Sequence, residues 1–240
     1  MLLKCVASSS LGNGYILESD NEILLLEAGC DLNSVQKMID FNISKVVGMI
    51  ISHEHGDHCK YIKQYMSRGI KCYSGDKQQE NIKTIYGEQI TAIPELSMTQ
   101  IGGFKIIPFP VQHSVPNFGY IINHKEMGTL LFATDMEYIS YDLKPFKLNH
   151  MMLESNYSLD LIRSDIANYK HKLEGHCSIQ ATLKTVRQNV SVDLKNVILC
   201  HLGSFSDPEL FKRKLNEIPG CFQSNIAAPG LIIELNKSVF

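Results

Sequence analysis

The sequence predicts an α/β fold in which two β-sheets pack face to face and carry helices on their outer faces. Three observations lead there. The chain has two β-rich stretches, and each passes into alternating strand and helix patterns. Its 240 residues suit one domain with a substantial core, expected to run over residues 1–240. No Pro/Gly/Ser-rich linker, charge block or long-period repeat marks a boundary.

Taken in order, strands are expected at Leu2–Ala7, Gly14–Glu18 and Ile23–Glu27, joined by the turn-prone Gly12-Asn13-Gly14 and Ser19-Asp20-Asn21. Asp31 is suited to cap a helix reaching Asp40. The run Val46–Ile51 is short, β-branched and unalternating, which describes a strand buried on both faces. A helix over His58–Ser67, a strand at Lys71–Ser74 and a helix over Asp76–Tyr86 follow. Strands then return at Phe104–Phe109, Gly119–Asn123, Thr129–Thr134 and Met151–Leu153. Ser178 caps a helix to Arg187, Asn196–Cys200 is a strand, Asp207-Pro208 opens the last helix, and Ile232–Leu235 closes a sheet.

Hydrophobic residues at 44% and charged residues at 20% exclude a disordered or fibrous chain. Lys+Arg (23) and Asp+Glu (25) nearly cancel, so no global positive field draws the protein to nucleic acid or anionic membrane, and attraction for phosphate must be local. The N-terminal residues lack an apolar leader, and no stretch approaches the roughly 18–20 apolar residues of a membrane span. Seven scattered cysteines, none in a C-x-x-C pair, fit buried free thiols in a cytoplasmic protein. Nine histidines are more informative, because three of them fall within six residues.

Those three lie in His53-Glu54-His55-Gly56-Asp57-His58, an H-x-H-x-D-H arrangement leaving a buried strand. Alternation sends His53 and His55 to one side, and the turn at Gly56 lets Asp57 and His58 face a second point. Imidazoles with carboxylates and no thiolate suit a divalent ion such as zinc in a reactive rather than a purely structural site. Completing two sites needs further ligands at strand ends. His113, Asp135 and His201 are each the first ligand-type group after an apolar run. A three-histidine site (His53, His55, His113) and a second site (Asp57, His58, His201), bridged by Asp135, follow. A lone histidine after a strand is most often a hydrogen-bonded core residue; the joint pattern reverses that expectation.

These residues resemble the metallo-β-lactamase-fold hydrolases, from the Leu25-Leu26-Glu27-Ala28-Gly29 turn through H-x-H-x-D-H to His113, Asp135 and His201. The resemblance implies an αββα sandwich holding two divalent ions, zinc first and manganese as the other choice. Glu27 stands where many members have Asp, and is expected to support the motif loop. Gly175-His176-Cys177-Ser178 and Leu199-Cys200-His201-Leu202 are similar to segments of the tRNase Z and YycJ/WalJ-type nucleases. Leu153-Glu154-Ser155-Asn156 is similar to a segment of the latter, with Tyr157-Ser158 replacing its His-Asp. Gln112–Tyr120 resembles phage-associated members, the neighbourhood of viral anti-Pycsar cyclic-nucleotide phosphodiesterases.

Metal coordination lowers the pKa of water toward about 7 and pairs of ions clamp both reacting oxygens, so hydrolysis is the expected reaction. The resemblance points to phosphodiesters. Asp57 and His176 are the candidate catalytic residues, with His176 giving a proton to the departing ribose oxygen. Glu154 is expected to orient His176 or contact substrate, and Tyr157 to touch base or phosphate. The near-neutral charge favours a small nucleotide, a 3′,5′-cyclic mononucleotide first, with DNA or RNA cleavage as the alternative. A non-catalytic nucleotide-binding scaffold and a lactonase or thioesterase are further readings. Arg163, Lys170 and Lys172 could form a phosphate track or a solvated helix face. The resemblance also implies a homodimer, with Tyr86–Ser97 as a lid or a connecting loop.

Overall fold

The structure is a computed structural model that describes residues 1–88, 90–162 and 169–237, without the side chains of residues 171 and 172. The first sheet is built from β1 (Leu2–Ser9), β2 (Gly12–Glu18), β3 (Ile23–Leu26), β4 (Val46–Ile50), β5 (Cys72–Gly75), β6 (Thr91–Ile93) and, at its other edge, β14 (Ile232–Glu234), in the order β14-β1-β2-β3-β4-β5-β6. The second comprises β7 (Thr99–Ile101), β8 (Phe104–Val111), β9 (Asn117–His124), β10 (Gly128–Ala133), β11 (His150–Glu154), β12 (Asn196–Cys200) and β13 (Gln223–Ile226), in the order β13-β12-β11-β10-β9-β8-β7. Each sheet starts as an antiparallel meander and finishes in parallel pairs, β3-β4-β5-β6 in the first and β10-β11-β12-β13 in the second. The parallel pairs matter for function because they align several strand C-termini along one rim.

Side-chain alternation explains the layering. In β3, Leu24 and Leu26 enter the core between the sheets with Leu17, Phe104, Phe118, Tyr120, Phe132, Met152 and Ile198. Ile23 and Leu25 point the other way, into an outer layer. That layer is covered by α1 (Leu32–Met38), α3 (Ile62–Met66) and α4 (Gln79–Tyr86), through Val35, Ile62, Tyr65 and Ile82. On the second sheet, Leu131, Met151, Leu153 and Leu199 receive Leu183 and Val186 of α6 (Ile179–Asn189) and Phe211 and Leu215 of α7 (Pro208–Asn216). The αββα order expected from the sequence is therefore present.

Three expectations need correction. The helix over His58–Ser67 is split into α2 (Gly56–Cys59) and α3, because Tyr61 N–H donates to Ala28 O instead of continuing the helical ladder. Three short polar strands, β6, β7 and β13, extend the sheets beyond the expected set. The Tyr86–Ser97 segment is neither a free lid nor a bare connection: it contains β6, paired to β5, and Tyr86 Oη donates to Glu54 O (2.8 Å). The helix α5 (Tyr169–Gly175) carries Lys170, in keeping with the helix-face alternative for that residue. Arg163 and the side chain of Lys172 lie outside the described residues, while Lys170 is exposed and faces Glu174 at 3.7 Å along α5. Among the described residues, no helix is long and apolar enough to cross a membrane.

One histidine outside the H-x-H-x-D-H region is purely architectural. His150 opens β11 fully buried, with Nε2–H donating to Met127 O (3.0 Å) and Nδ1 accepting from Asn196 Nδ2 (3.0 Å). Burial pushes its imidazole down to about 4, from an ordinary value near 6.5. Its contribution to stability is full above pH 6.5 and is lost as pH falls toward 4, where the unfolded chain takes up a proton that the fold resists. In urea unfolding, the stability advantage of the wild type over His150→Gln should shrink by about 2 kcal/mol between pH 7 and pH 4.5. An advantage independent of pH would show that His150 is not held neutral.

Candidate metal centre

The rim where β4, β8, β10, β11 and β12 end gathers every ligand-type residue singled out in the sequence. β4 ends at Ile50, and two residues later the chain turns into the His53–His58 loop; β10 ends one residue before the Thr134-Asp135 step; β12 runs directly into His201. Three buried non-glycine residues at this rim adopt left-handed backbone conformations: Glu27 (φ 67°), Asp135 (φ 51°) and His201 (φ 49°). Such conformations cost energy, and they turn each side chain sharply out of its strand.

Among the described residues three overlapping groups of donor atoms result, two of them built around the His53–His58 motif. In the first, His53 Nε2 is 3.0 Å from His55 Nδ1, which is 3.3 Å from His113 Nε2. In the second, His58 Nε2 lies 3.3 Å from Asp57 Oδ2 and 3.2 Å from Asp135 Oδ1, and His201 Nε2 lies 4.0 Å from Asp57 Oδ2. The other oxygen of Asp135, Oδ2, is 4.0 Å from His53 Nε2, so its carboxylate faces both groups. The ligand atoms of each group fall within 4.8 Å of one another.

The rear nitrogens of the imidazoles show why the front ones converge. His113 Nδ1–H donates to Gly175 O (2.7 Å), His53 Nδ1 meets Ser52 Oγ (2.9 Å), and His201 Nδ1 meets Asn13 Oδ1 (3.1 Å). Each such bond sets the ring and leaves the opposite nitrogen facing inward. His201 Nε2 is buried with no hydrogen-bond partner, a costly arrangement for a polar atom unless a cation takes its lone pair. The nitrogen and oxygen donors, without thiolate, fit a divalent ion of the zinc or manganese kind.

Electrostatics divides the two groups. Burial, reinforced by the neighbouring His58, holds the His53 imidazole well below its ordinary value, and burial pushes His113 down to about 4. Both imidazoles are therefore neutral candidate ligands. Burial would also depress His58, but the carboxylates of Asp135 and Glu27 outweigh it and hold that imidazole well above its ordinary value. Burial would raise Asp135, yet His201 and His58 pull it well below the usual carboxylate range. The second group therefore favours positive charge at its centre.

Sequence reasoning placed the candidate ligands and missed much of what holds them. Asn13, read as part of a turn, is fully buried in β2 and donates through Nδ2 to Asp57 Oδ2 (3.3 Å) while accepting from His201. Asn117 donates through Nδ2 to the carbonyls of Thr134 and Asp135, holding the turn that carries the shared carboxylate. Glu27 accepts from Ser52 N–H with both oxygens (3.3 Å each) and stands 3.4 Å from His58 Nδ1, the supporting place expected for it.

Beside the donor groups stands a second device. His176 Nδ1 is 2.7 Å from Glu154 Oε1 and 3.8 Å from Asp135 Oδ2. Glu154 is fully buried at the end of β11, and its Oε2 accepts from Met136 N–H (2.9 Å) and Cys177 N–H (3.1 Å). Both Glu154 oxygens are thus engaged, and the donor atoms of Asp135, Glu154, His176 and His201 lie within 4.8 Å of one another. Tyr157 is buried nearby, its backbone bridged to Ser178 and Phe205, and together with His176 it lines one end of a cleft of about 690 Å³.

Comparison with known proteins agrees with this geometry. Residues 24–201 match the family described as the beta-lactamase superfamily domain. The chain is 23% identical over 213 residues to exodeoxyribonuclease YycJ of Bacillus anthracis, covering 82% of this chain and 81% of that protein. Among solved structures, it is similar to the metallo-beta-lactamase fold protein YhfI of Bacillus subtilis (TM-score 0.74, 17% identity, covering 97% and 98% of the two chains). It is also similar to the short form of human tRNase Z (TM-score 0.63, 14% identity, covering 98% and 99%). The strand order, the rim of histidines and aspartates, and a family match spanning both sheets lead to one assignment: the chain belongs to the beta-lactamase superfamily and is a hydrolase of the metallo-β-lactamase fold.

Proposed function

We propose that the protein is a metal-dependent phosphodiesterase that releases nucleotides from the end of a DNA strand. The observation that carries this reading is the pairing of two donor groups sharing Asp135 with a Glu154–His176 pair 3.8 Å from that same carboxylate. On this reading His53, His55 and His113 hold one divalent ion, Asp57, His58 and His201 hold a second, and Asp135 joins them. When bound, such ions polarise a phosphoryl oxygen and ionise water near neutral pH.

The chain's own groups supply the rest. His176 has its Nδ1–H committed to Glu154, so its Nε2 is the atom that can pass a proton to the departing sugar oxygen. The Glu154 carboxylate keeps the ring in place and steadies the charge it carries, itself anchored by two backbone N–H groups. Asp57, half-buried, holds its carboxylate between His58 and His201. Tyr157, which lines the cleft with His176, would meet the sugar or base. The choice of DNA rests on similarity to the exodeoxyribonuclease over four-fifths of both chains. The family resemblance adds a cytoplasmic homodimer, with the whole chain as one domain.

A second reading, hydrolysis of a 3′,5′-cyclic mononucleotide, is favoured by the near-neutral net charge of −2 and by a cleft roomy enough for one nucleotide. End-labelled single-stranded DNA, RNA and cyclic nucleotides offered side by side separate the two. Stepwise release of mononucleotides from DNA is expected; rapid turnover of cyclic nucleotides with intact polymers would put the second reading first. Hydrolysis of lactones or thioesters with every phosphodiester untouched would overturn both.

Chelation should abolish turnover, and zinc or manganese should restore it with two ions bound per chain. His176→Ala should lower kcat by about 10²–10⁴-fold while metal content stays at the wild-type level. Wild-type turnover in that variant would remove His176 from the mechanism.

A further inference from the structure

Two of the segments that line the cleft beside His176 start close to the centre. One is the segment 137–144, which follows Asp135 and is pinned at its base, where Glu137 N–H donates to Gln112 O (3.0 Å) just after the Met136–Glu154 bond. The other is α6, which starts three residues after His176 with Ser178 Oγ accepting from Ala181 N–H (3.2 Å). This helix buries Ile179, Thr182, Leu183 and Val186, and lines the cleft with Ala181, Lys184 and Gln188, spaced three and four apart on one face. The cleft adjoins the centre at His176, which lines it and stands 3.8 Å from Asp135 Oδ2.

Its lining has a definite chemistry. Tyr138 presents a ring that is 54% exposed, an unusual placement for a large aromatic side chain, and Tyr141 stands next to it with its ring edge-on to Phe109 (5.6 Å). Lys144 and Lys184 are exposed, and among the described residues neither forms an ion pair. Of the two acidic residues that line the cleft among the described residues, Asp142 accepts from Lys144 N–H (3.1 Å) and so caps its own turn, and Glu137 sits at the pinned base of the wall. An exposed tyrosine in a cleft that two amines also line is the pairing that holds single-stranded nucleic acid, by stacking on bases and neutralising phosphates.

Resting on the reading of the centre as a nucleotide phosphodiesterase, we propose that this cleft is the subsite for the nucleotides adjoining the scissile bond of a single-stranded substrate. Tyr138 stacks a base, and Lys144 and Lys184 take the phosphates that follow. A cyclic mononucleotide has no following phosphate, so the two lysines discriminate in favour of a polymer end.

The test compares pentathymidylate with bis(p-nitrophenyl) phosphate, which has neither base nor second phosphate, using the metal-loaded protein. In the double variant Lys144→Ala/Lys184→Ala, KM for pentathymidylate should rise about 10-fold at low salt, and the slope of log KM against log salt should fall by about 1.4, as for two lost single-strand phosphate contacts. Tyr138→Ala should raise the same KM about 10-fold. In both variants the ratio of kcat/KM for pentathymidylate to that for the aryl diester should fall with it. Lys212→Ala, which removes one charge from exposed α7, serves as the control and should move neither quantity. Wild-type KM and salt slope in both cleft variants would overturn the subsite. If the wild-type protein hydrolysed neither compound, the reading of the centre would fail instead. Fluorescence anisotropy of labelled pentathymidylate would then judge the cleft, supporting it if the double variant binds about 10-fold more weakly and overturning it if binding is unchanged.

Discussion

The seating of the Glu27–Gly29 turn against the histidine loop is the contact on which the rest of the centre depends. Glu27 N–H donates to Ile50 O (2.9 Å), Ala28 N–H to His58 O (2.7 Å) and Gly29 N–H to Asn13 O (3.0 Å), while Ala28 O receives Tyr61 N–H (3.0 Å). The backbones approach so closely that a Cβ at residue 29 would collide with the Asp57 carbonyl, so only glycine fits. Directly behind the loop, Glu27 is a fully buried carboxylate. Such a group is expensive unless its oxygens are occupied, and here Ser52 N–H and the His58 imidazole occupy them. One turn therefore sets the height of His58, the entry to α3 and the position of Asp57 together.

From that anchor the centre acquires an unequal distribution of charge. The His53, His55 and His113 side presents three imidazoles, two of them firmly neutral, whereas the other side sets two carboxylates among His58 and His201. The shared Asp135 is held by Thr134 Oγ (2.7 Å) and by Asn117 through its backbone. An anion entering the centre meets a neutral face and a charged one, and Glu154–His176 stands beside the carboxylate that separates them.

What was legible in the sequence follows from physics with a short range. Apolar runs such as Val46–Ile50 and Asn196–Cys200 could be read as strands because nothing else explains a short β-branched run, and the first ligand-type residues after them mark the rim. The paired imidazoles of His53 and His55 likewise follow from local alternation. Of the partners behind the candidate ligands, Glu27 was legible through the family resemblance, whereas Asn13 and Asn117 were not. Asn13 lies in a Gly-Asn-Gly stretch that reads as a turn, and its burial depends on β1, β3 and the loop at Asp57 closing around it. The edge strands β6, β7 and β13 are short and polar, so pairing with neighbours far along the chain, and not their own pattern, makes them strands. The break between α2 and α3 arises in the same way, from a carbonyl at Ala28 that diverts one N–H.

The spread of the donor residues along the chain has a kinetic consequence. His53 and His201 come from different sheets, and the turns that aim Asp135 and His201 exist only once β10 and β12 lie beside β11. Contacts of such long sequence separation form late, because the entropy of closing large loops must be met before they return any energy. A nascent or partly folded chain can display the His53–His58 loop, but it lacks the opposing half of the ligand set. Hydrolytic capacity is thereby tied to completion of the fold, and a truncated or misassembled copy of this chain would be inert rather than indiscriminately destructive.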